Sequence, residues 1–265
     1  MCEDCGCGDS ELVPVEVQRH LLESNNSGAR HNREHFEAAG VLAINLMGSP
    51  GSGKTALLEA TAHRSRLALR AMSGDLATDN DAQRLEQAGI PAAAITTGNA
   101  CHLDAKLVHH ALHHMKGWQD ADVVFIENVG NLVCPAIYDL GQAANVVCLS
   151  VTEGEDKPLK YPVMFHHADL VVITKIDLLP YLGGISLATI ERNLAQVMPE
   201  PRAIAVSAIS GQGIEDWLAF LAEKRPGRSE DIAKPVRQHH HPGHHHAHPK
   251  PLLSPPGKKL SEVRP

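Results

Sequence analysis

The sequence predicts an α/β fold in which helices flank a mostly parallel sheet. Two observations predict it. β-type apolar runs alternate with helical patterns along the chain, and the first run leads directly into a glycine-rich loop and a helix. The 265 residues are 43% apolar but only 3% aromatic, which predicts a sizeable, mostly aliphatic core. The strand candidates are residues 41–47, 68–72, 92–96, 122–127, 145–151, 169–174 and 203–206.

The first apolar run ends in a complete GxxxxGK[ST] phosphate loop. In this strand–loop–helix context, several backbone N–H groups and a helix N-terminus face one anion. Lys54 is expected to reach the β- and γ-phosphates, and the Thr55 hydroxyl to ligate Mg²⁺. The motif predicts a P-loop NTPase, against the alternative of a chance glycine-rich turn. Its members are Gly48, Ser49, Pro50, Gly51, Ser52, Gly53, Lys54 and Thr55.

Carboxylates follow two later strands. Asp75 comes after the second strand and is the first candidate there for a Mg²⁺ or water contact, whereas Asp79 and Asp81 are equally well interpreted as solvated turn residues. After the fourth strand, Glu127 is expected to hold Mg²⁺ through water or to orient the attacking water, and the Gly130 N–H to meet the γ-phosphate. The alternative for Glu127 is a helix-capping carboxylate.

A T-K-x-D sequence ends the sixth strand, and it is a variant of the element by which GTPases recognise guanine. Asp177 would accept two hydrogen bonds from guanine, whereas adenine offers no such donor pair. Lys175 belongs to the same element, and Ser207-Ala208 follow the next strand as a base-contacting S-A pair does in GTPases. The order of these elements favours GTP over ATP, against the alternative of an ordinary charged strand end.

Cys101-His102 and Cys134 are predicted to lie on loops at the carboxyl edge of the sheet, beside the nucleotide. Two thiolates and an imidazole suit Zn²⁺ or Ni²⁺. One chain supplies only three ligands, so water or a second subunit must complete the coordination sphere, and shared ligands would couple metal binding to dimerisation. The alternative for any single cysteine is a small buried hydrophobe, which is our interpretation of Cys148.

Two further metal-binding segments are predicted near the ends of the chain. Cys2, Cys5 and Cys7 can place three thiolates around one transition-metal ion, against the alternative of exposed thiols with no role. A histidine-rich run is interpreted as a reservoir of moderate affinity, or alternatively as an expression tag. Its imidazoles belong to His239, His240, His241, His244, His245, His246 and His248.

Four more histidines, His109-His110 and His113-His114, recur at helical spacing after Cys101-His102. They are interpreted either as a solvated helix face or as groups that pass metal onward. The solvated face is favoured.

Composition divides the chain into three parts. Residues 1–28 hold the cysteine cluster and a polar stretch, 24–28, that is interpreted as a linker. Residues 29–226 are predicted to form the P-loop domain, whose last periodic helix covers 213–221. Residues 227–265 are rich in Pro, Lys and His and hold few large apolar residues, so they are predicted to form a disordered tail.

Charge and hydropathy exclude other classes of partner. The formal net charge of −7 argues against nucleic-acid binding, because such proteins usually present a basic face. No basic segment followed by an apolar one opens the chain, and no run has the length of a membrane span. A cytoplasmic protein without a membrane partner is therefore expected.

Together these motifs resemble the HypB family of nickel-incorporation GTPases in [NiFe]-hydrogenase maturation. The resemblance rests on the amino-terminal cysteines, the phosphate loop, T-G-x-x-C-H-L-D at 97–104, E-N-V-G-N-L-V-C-P at 127–135, T-E-G-E-D-K at 152–157 and T-K-I-D at 174–177. It covers about residues 30–225, and the stretch at 127–135 is the most specific.

That resemblance implies the SIMIBI-like G-domain form of the P-loop fold, slow GTP hydrolysis to GDP, and a homodimer formed around nucleotide. It also implies delivery of nickel to the hydrogenase large-subunit precursor with a HypA-type accessory protein as partner. The chain departs from the family in one respect: the histidine-rich stretch lies after the GTPase domain, whereas in family members it usually precedes that domain.

Three other functions were weighed. A urease-maturation GTPase also delivers nickel but lacks the amino-terminal cysteines and carries a different metal motif. A nickel-storage protein with a vestigial nucleotide fold would not need Lys54, Thr55, Glu127 and Asp177. A GTPase chaperone for a cobalamin enzyme or another metalloenzyme would have no evident use for the cysteine-rich terminus.

Overall fold

The computed structural model describes the backbone of residues 15–75, 79–98 and 102–225, and their side chains except at 15–21 and 134. Several predicted metal ligands lie outside these described residues, so the predictions about them stay predictions. They are Cys2, Cys5, Cys7, Cys101 and the seven histidines of the run at 239–248.

Helices and strands alternate along the chain, as the apolar pattern predicts. The strands are β1 Leu42–Met47, β2 Leu69–Asp75, β3 Ala92–Thr96, β4 Val123–Glu127, β5 Ala144–Ser150, β6 Leu170–Thr174 and β7 Ala203–Val206. The helices are α1 Val15–Ala39, α2 Lys54–Arg64, α3 Asn80–Gln87, α4 Ala105–His114, α5 Lys157–Lys160, α6 Pro162–His166, α7 Leu187–Val197 and α8 Ile214–Lys224.

All seven predicted strands join one parallel sheet in the order β3-β2-β4-β1-β5-β6-β7. This arrangement confirms the predicted α/β fold. The chain runs outward from β1 in both directions, so β1 and its neighbours β4 and β5 form the point at which ligands bind in open parallel sheets. The loops that follow β1, β2, β4, β5, β6 and β7 all leave from the carboxyl edge.

Side-chain alternation along the strands distributes the core over the two faces of the sheet. Leu42, Ile44 and Leu46 pack with α2, α3 and α8 on one face. On the other face, Ala43 packs with α1 and α4, whereas Met47 packs with α6 and α7. The buried indole of Trp217 in α8 donates to Thr61 Oγ1 in α2 at 2.9 Å and so joins two helices of the first face. In the part of the chain that the structure describes, no helix is both long and apolar enough to cross a membrane.

The interpretation of residues 24–28 as a linker is wrong, because α1 passes through them without a break. Their polar side chains serve tertiary contacts instead. The Asn25 carboxamide donates to Asp139 O at 2.8 Å and accepts from the first backbone N–H of α4, that of Ala105, at 2.9 Å. A β-carbon on Gly28 would lie 3.3 Å from that of Ala105, so the glycine lets α1 approach α4 closely. The polar composition of residues 24–28, which is typical of a linker, is thus explained in part by the hydrogen bonds of Asn25 to distant backbone groups.

Candidate functional site

The predicted phosphate loop connects β1 to α2 at the carboxyl edge. Gly48 has φ 147°, and a β-carbon there would meet Cys148 O at 2.5 Å and Ser52 Oγ at 2.6 Å. Gly53, the residue before α2, has φ 95°. Only glycine fits both the space and the backbone angle at these positions, so the loop can curl tightly before the helix N-terminus.

Lys54 opens α2 and folds back over the loop. Its side chain is buried, and Nζ donates to Gly48 O and Ser49 O, each at 3.3 Å. The ammonium is therefore held across the loop, where it can exchange these neutral carbonyls for phosphate oxygens.

Glu153, from the turn after β5, contacts the same loop. Ser49 Oγ donates to Glu153 Oε2 at 2.5 Å, and Lys157 Nζ lies 3.3 Å from that oxygen. Glu153 also forms a capping box with Ser150. Glu153 is not among the predicted site residues, although its S-x-x-E spacing from Ser150 is typical of a capping box.

The Thr55 hydroxyl lies between two carboxylates. It is 2.9 Å from Glu127 Oε1, at the end of β4, and 3.0 Å from Asp81 Oδ1, in α3. Arg84 approaches Asp81 from the solvent side at 3.4 Å. The interpretation of Asp81 as a solvated turn residue is therefore incomplete, because α3 brings its carboxylate to the phosphate-loop threonine. The sequence does not distinguish Asp79 from Asp81, whereas in the structure Asp79 precedes α3 and Asp81 lies in its first turn.

Glu127 is almost completely buried, and burial raises its pKa from 4.5 to about 7 against the opposing effect of Lys54. None of the described residues hydrogen-bonds to its Oε2. A buried carboxylate oxygen without a partner, beside a hydroxyl and a second carboxylate, matches the all-oxygen ligand set of Mg²⁺. Glu127, Thr55 and Asp81 therefore fit the predicted magnesium ion.

A cavity of about 450 Å³ opens above these oxygens. Gly130 comes so close to the loop that a β-carbon would lie 2.8 Å from Pro50 Cγ. Gly130, which is predicted to meet the γ-phosphate, thus lies against the phosphate loop. The residues that line the cavity include Lys54, Thr55, Asp75, Asp81, Glu127 and Gly130.

The predicted guanine-reading elements come together beyond the phosphate loop. Asp177 Oδ1 accepts from the buried Ser207 hydroxyl at 2.6 Å, and Ala208 follows in the same turn. Lys175 has a left-handed φ of 61° and donates through Nζ to Gly51 O at 2.6 Å. Thr174 Oγ1 donates to Ser52 O at 2.5 Å. The T-K-x-D element is thereby fixed to the loop, while Asp177 and Ser207 lie outside the lining of the 450 Å³ cavity.

Asn128 links the phosphate side to the predicted transition-metal segment. Its Oδ1 accepts from Leu103 N at 3.1 Å, and its Nδ2 donates to Asn45 Oδ1 at 3.2 Å. Leu103 also packs on β2, because a β-carbon on Gly74 would approach its Cγ to 3.0 Å. The residue after His102 therefore contacts β2 and the end of β4, two of the strands that end at the cavity.

The structure describes two of the three predicted ligands of the cysteine–histidine site in part. The His102 ring stacks on Tyr138, with centroids 3.9 Å apart, and burial lowers the pKa of His102 despite the nearby Asp104. Cys134 opens the short helix Cys134–Ala136 after β4. Because Cys101 is outside the described residues, the joint site stays a prediction. Cys148 is buried as predicted, and burial raises the pKa of its thiol to about 12.

The solvated-face interpretation fits His110, His113 and His114, which are exposed on α4, but it fails for His109. His109 is half-buried, its Nδ1 lies 3.1 Å from Asn32 Oδ1, and its ring faces two histidines of α1. Spacing within α4 could not reveal this packing, because the partners lie more than seventy residues earlier.

Comparisons with known proteins show the family of this chain. The model of the CobW/HypB/UreG nucleotide-binding domain matches residues 42–204. The chain is 47% identical to hydrogenase maturation factor HypB of Azotobacter chroococcum mcd 1 over 226 residues, covering 83% of this chain and 72% of that protein. It is 42% identical to the hydrogenase/urease maturation factor HypB of Helicobacter hepaticus, covering 80% and 88%.

A solved structure shares the fold at similar identity. The crystal structure of HypB from Helicobacter pylori in complex with nickel superposes with a TM-score of 0.73 at 40% identity, covering 76% of this chain and 95% of that one. Family match, sequence identity and fold thus agree with the motifs. The chain belongs to the CobW/HypB/UreG family and, within it, to the HypB hydrogenase maturation factors.

Proposed function

We propose that this protein is a GTP-hydrolysing nickel metallochaperone that delivers nickel to the [NiFe]-hydrogenase large-subunit precursor. One observation carries the proposal. Two consecutive residues at the end of β4 face different sites: Glu127 contacts Thr55 of the phosphate loop, and Asn128 contacts the backbone beside Cys101-His102. A change at the γ-phosphate that moves this strand end must also move the metal-binding segment.

At the phosphate end, Lys54 leaves the loop carbonyls to bind the β- and γ-phosphates. Thr55, Asp81 and Glu127 would hold Mg²⁺, directly or through water, with Asp75 as a further water or metal contact. Bound there, the ion would neutralise charge on the phosphate oxygens. Glu127 is also positioned to orient the attacking water, because it is buried beside the loop and close to Gly130.

At the base end, Asp177 pairs with the guanine N1–H and amino group, and the Ser207 hydroxyl holds its carboxylate in place. Lys175 covers the base while it stays anchored to Gly51. The backbone of Ala208 contacts the guanine base. These roles favour GTP as the substrate and GDP as the product.

Metal release follows from the same connection. GTP holds the Gly130 segment against the phosphate loop and promotes a homodimer in which Cys101, His102 and Cys134 of two subunits bind Ni²⁺ or Zn²⁺. Hydrolysis relaxes this segment and releases nickel. Cys2, Cys5 and Cys7 form the tightest nickel site, and the histidine tail holds further ions. A HypA-type accessory protein receives nickel on its way to the precursor.

A second client is favoured by one comparison. The Helicobacter hepaticus relative is named a hydrogenase/urease maturation factor and is 42% identical to this chain. Urease is therefore the second candidate destination for the nickel.

The test is nickel transfer with purified components. The full chain is loaded with nickel and mixed with the HypA-type protein and either the hydrogenase precursor or apo-urease, and nickel in the client is measured after separation. Transfer to the precursor is expected with GTP and not with a non-hydrolysable analogue. Lys54→Ala should block it, whereas Lys106→Ala, at an exposed position of α4, should not. Equal transfer without nucleotide would refute the proposal, and transfer to urease alone would change the client.

A further inference from the structure

Four histidines from two helices meet on the face of the sheet that α1 and α4 cover. His31 and His35 are one turn apart on α1, and His109 and His113 are one turn apart on α4. One ring nitrogen from each of His31, His35 and His109 lies within 4.8 Å of those of the other two. The interaction is between helices: the His35 and His109 rings stack, with centroids 5.6 Å apart, and His31 lies 4.9 Å from His109.

The distances between nitrogens are close to those of ligands that share one ion. Nε2 of His31 and Nε2 of His35 are 3.1 Å apart, and those of His109 and His113 are 3.0 Å apart. Two imidazoles bound tetrahedrally to one metal, each at 2.0–2.1 Å, place their nitrogens about 3.3 Å apart. Within each helix the two nitrogens are therefore already near this separation, and His109 lies within 4.8 Å of the nitrogens of both His31 and His35.

Asn32 orients His109, one of the two half-buried rings. Its buried carboxamide donates from Nδ2 to Ala105 O at 2.8 Å and to Leu140 O at 3.1 Å, so Oδ1 is the atom left to accept from His109 Nδ1–H. That hydrogen bond fixes the His109 tautomer with the Nε2 lone pair turned toward the cluster. A carbonyl oxygen bound to the far nitrogen is the usual support of a metal-bound histidine.

The charge around the cluster also favours a cation. Glu34 lies 3.8 Å from His31 Nδ1 on the exposed side, where its carboxylate favours a cation over an anion. Burial, and then the neighbouring imidazoles, lower the pKa of His109.

We propose that His31, His35 and His109 bind one divalent transition-metal ion, Ni²⁺ or Zn²⁺, with His113 as the fourth ligand, and that this ion cross-links α1 to α4. Imidazole nitrogens suit both metals, whereas Mg²⁺ requires oxygen ligands. The site is separate from the cysteine ligands and from the histidine tail. It uses the two helices that Asn25 and Asn32 already join.

The same helix provides a matched control. His110 and His114 are also one turn apart on α4, with ring centroids 4.5 Å apart, and both are exposed. Their spacing equals that of His109 and His113, but they are not part of the cluster that His109 forms with the histidines of α1. Two histidines on one helix bind a metal ion less tightly than four histidines on two helices. Because His110 and His114 are not ligands of the proposed site, their removal should leave that site intact.

The experiment measures metal binding by the full chain, without nucleotide, in a background that removes the other candidate ligands. Cys2, Cys5, Cys7, Cys101 and Cys134 are changed to Ser, and His102 and the seven tail histidines to Ala. Nickel and zinc are titrated separately by calorimetry. We expect one equivalent of metal, nickel X-ray absorption that fits nitrogen and oxygen ligands only, and a rise in Tm on metal addition.

His31→Ala with His35→Ala should abolish this equivalent, and His110→Ala with His114→Ala should preserve it. His31 is exposed and His35 half-buried, so the first pair is expected to fold, and circular dichroism of both variants checks this. His109→Gln provides an independent removal from α4. Absence of the equivalent in the background chain, or its persistence in the His31/His35 variant, would overturn the proposal. Neither result depends on GTP hydrolysis or nickel delivery.

Discussion

The nucleotide cavity and the histidine cluster show two ways of presenting ligands for a cation. The cavity at the carboxyl edge offers oxygens, from Thr55, Asp81 and Glu127, with one carboxylate buried. The cluster between α1 and α4 offers imidazole nitrogens near the surface. Hard ions prefer the first set and borderline ions the second. Ligand chemistry alone can therefore keep magnesium and nickel apart within one domain.

The largest expected effect is at the cavity. Lys54→Ala should lower the kcat of GTP hydrolysis by about 10²–10³-fold, because it removes the ammonium that the loop holds for the phosphates. The assay is phosphate release by the full chain, with Lys106→Ala as the control and circular dichroism to show that the fold is intact. Turnover equal to that of wild type in a folded Lys54→Ala protein would show that GTP is not hydrolysed at this site.

Glu127→Gln tests the buried carboxyl in metal-free protein without nucleotide. The pKa of Glu127 is raised in the folded state from 4.5 to about 7, so folding favours the protonated carboxyl. Below about pH 4.5 the carboxyl is protonated in both states, and ionisation costs the folded protein nothing. As the pH rises through 7, the free energy of unfolding of wild type falls by about 3 kcal/mol, whereas that of the glutamine variant has no such loss.

Urea unfolding of both proteins between about pH 5 and pH 8 measures the difference. The free energy of unfolding of the variant should rise relative to that of wild type as the pH increases. Parallel pH dependences would mean that Glu127 is already ionised in the metal-free protein. Some group other than a metal ion would then have to stabilise its buried charge.

Asp177→Asn addresses the base end of the nucleotide. Asparagine cannot accept both guanine hydrogen bonds, so GTP affinity should fall by about 10–100-fold, while xanthosine triphosphate, with a carbonyl in place of the amine, should gain relative to GTP. Competition binding measures both nucleotides. Asp216→Asn, at an exposed position of α8, is the control. An unchanged preference would show that another residue reads the base.

The smallest expected effect is on metal competition. A large excess of Mg²⁺ should change the nickel affinity of the histidine cluster by less than about twofold, because imidazoles are poor ligands for Mg²⁺. The titration uses the background chain that lacks the other candidate ligands. Strong competition by Mg²⁺ would show that nickel in that chain is bound by carboxylates instead.

The sequence predicted the sheet well because each strand is a local apolar run. All seven strands begin and end within three residues of the predicted ranges. The phosphate loop and T-K-x-D could also be recognised, since each is contiguous. By contrast, α1 crosses residues 24–28 because Asn25 contacts residues far along the chain, and local composition does not encode such contacts. The histidine cluster was missed for the same reason: His31 and His109 become neighbours only after α1 packs on α4.

The roles of Asp81 and Asn128 also depended on tertiary structure. Asp81 approaches Thr55 because α3 begins at Asn80 and directs this carboxylate to the loop. Asn128 lies within a predicted motif, but its contact with Leu103 joins β4 to a segment twenty-five residues earlier. That contact is the physical basis for the coupling that we propose between nucleotide and metal.

The most direct test of this coupling is a metal titration in two nucleotide states. The variant lacks Cys2, Cys5, Cys7, the tail histidines, His31 and His35, so that Cys101, His102 and Cys134 remain the predicted ligands. Nickel and zinc are titrated with GDP or with a non-hydrolysable GTP analogue, and sedimentation is measured in parallel. The account predicts metal affinities that differ by about 5–150-fold between the two states, with dimers favoured by the analogue. Identical affinity and identical sedimentation in both states would contradict it.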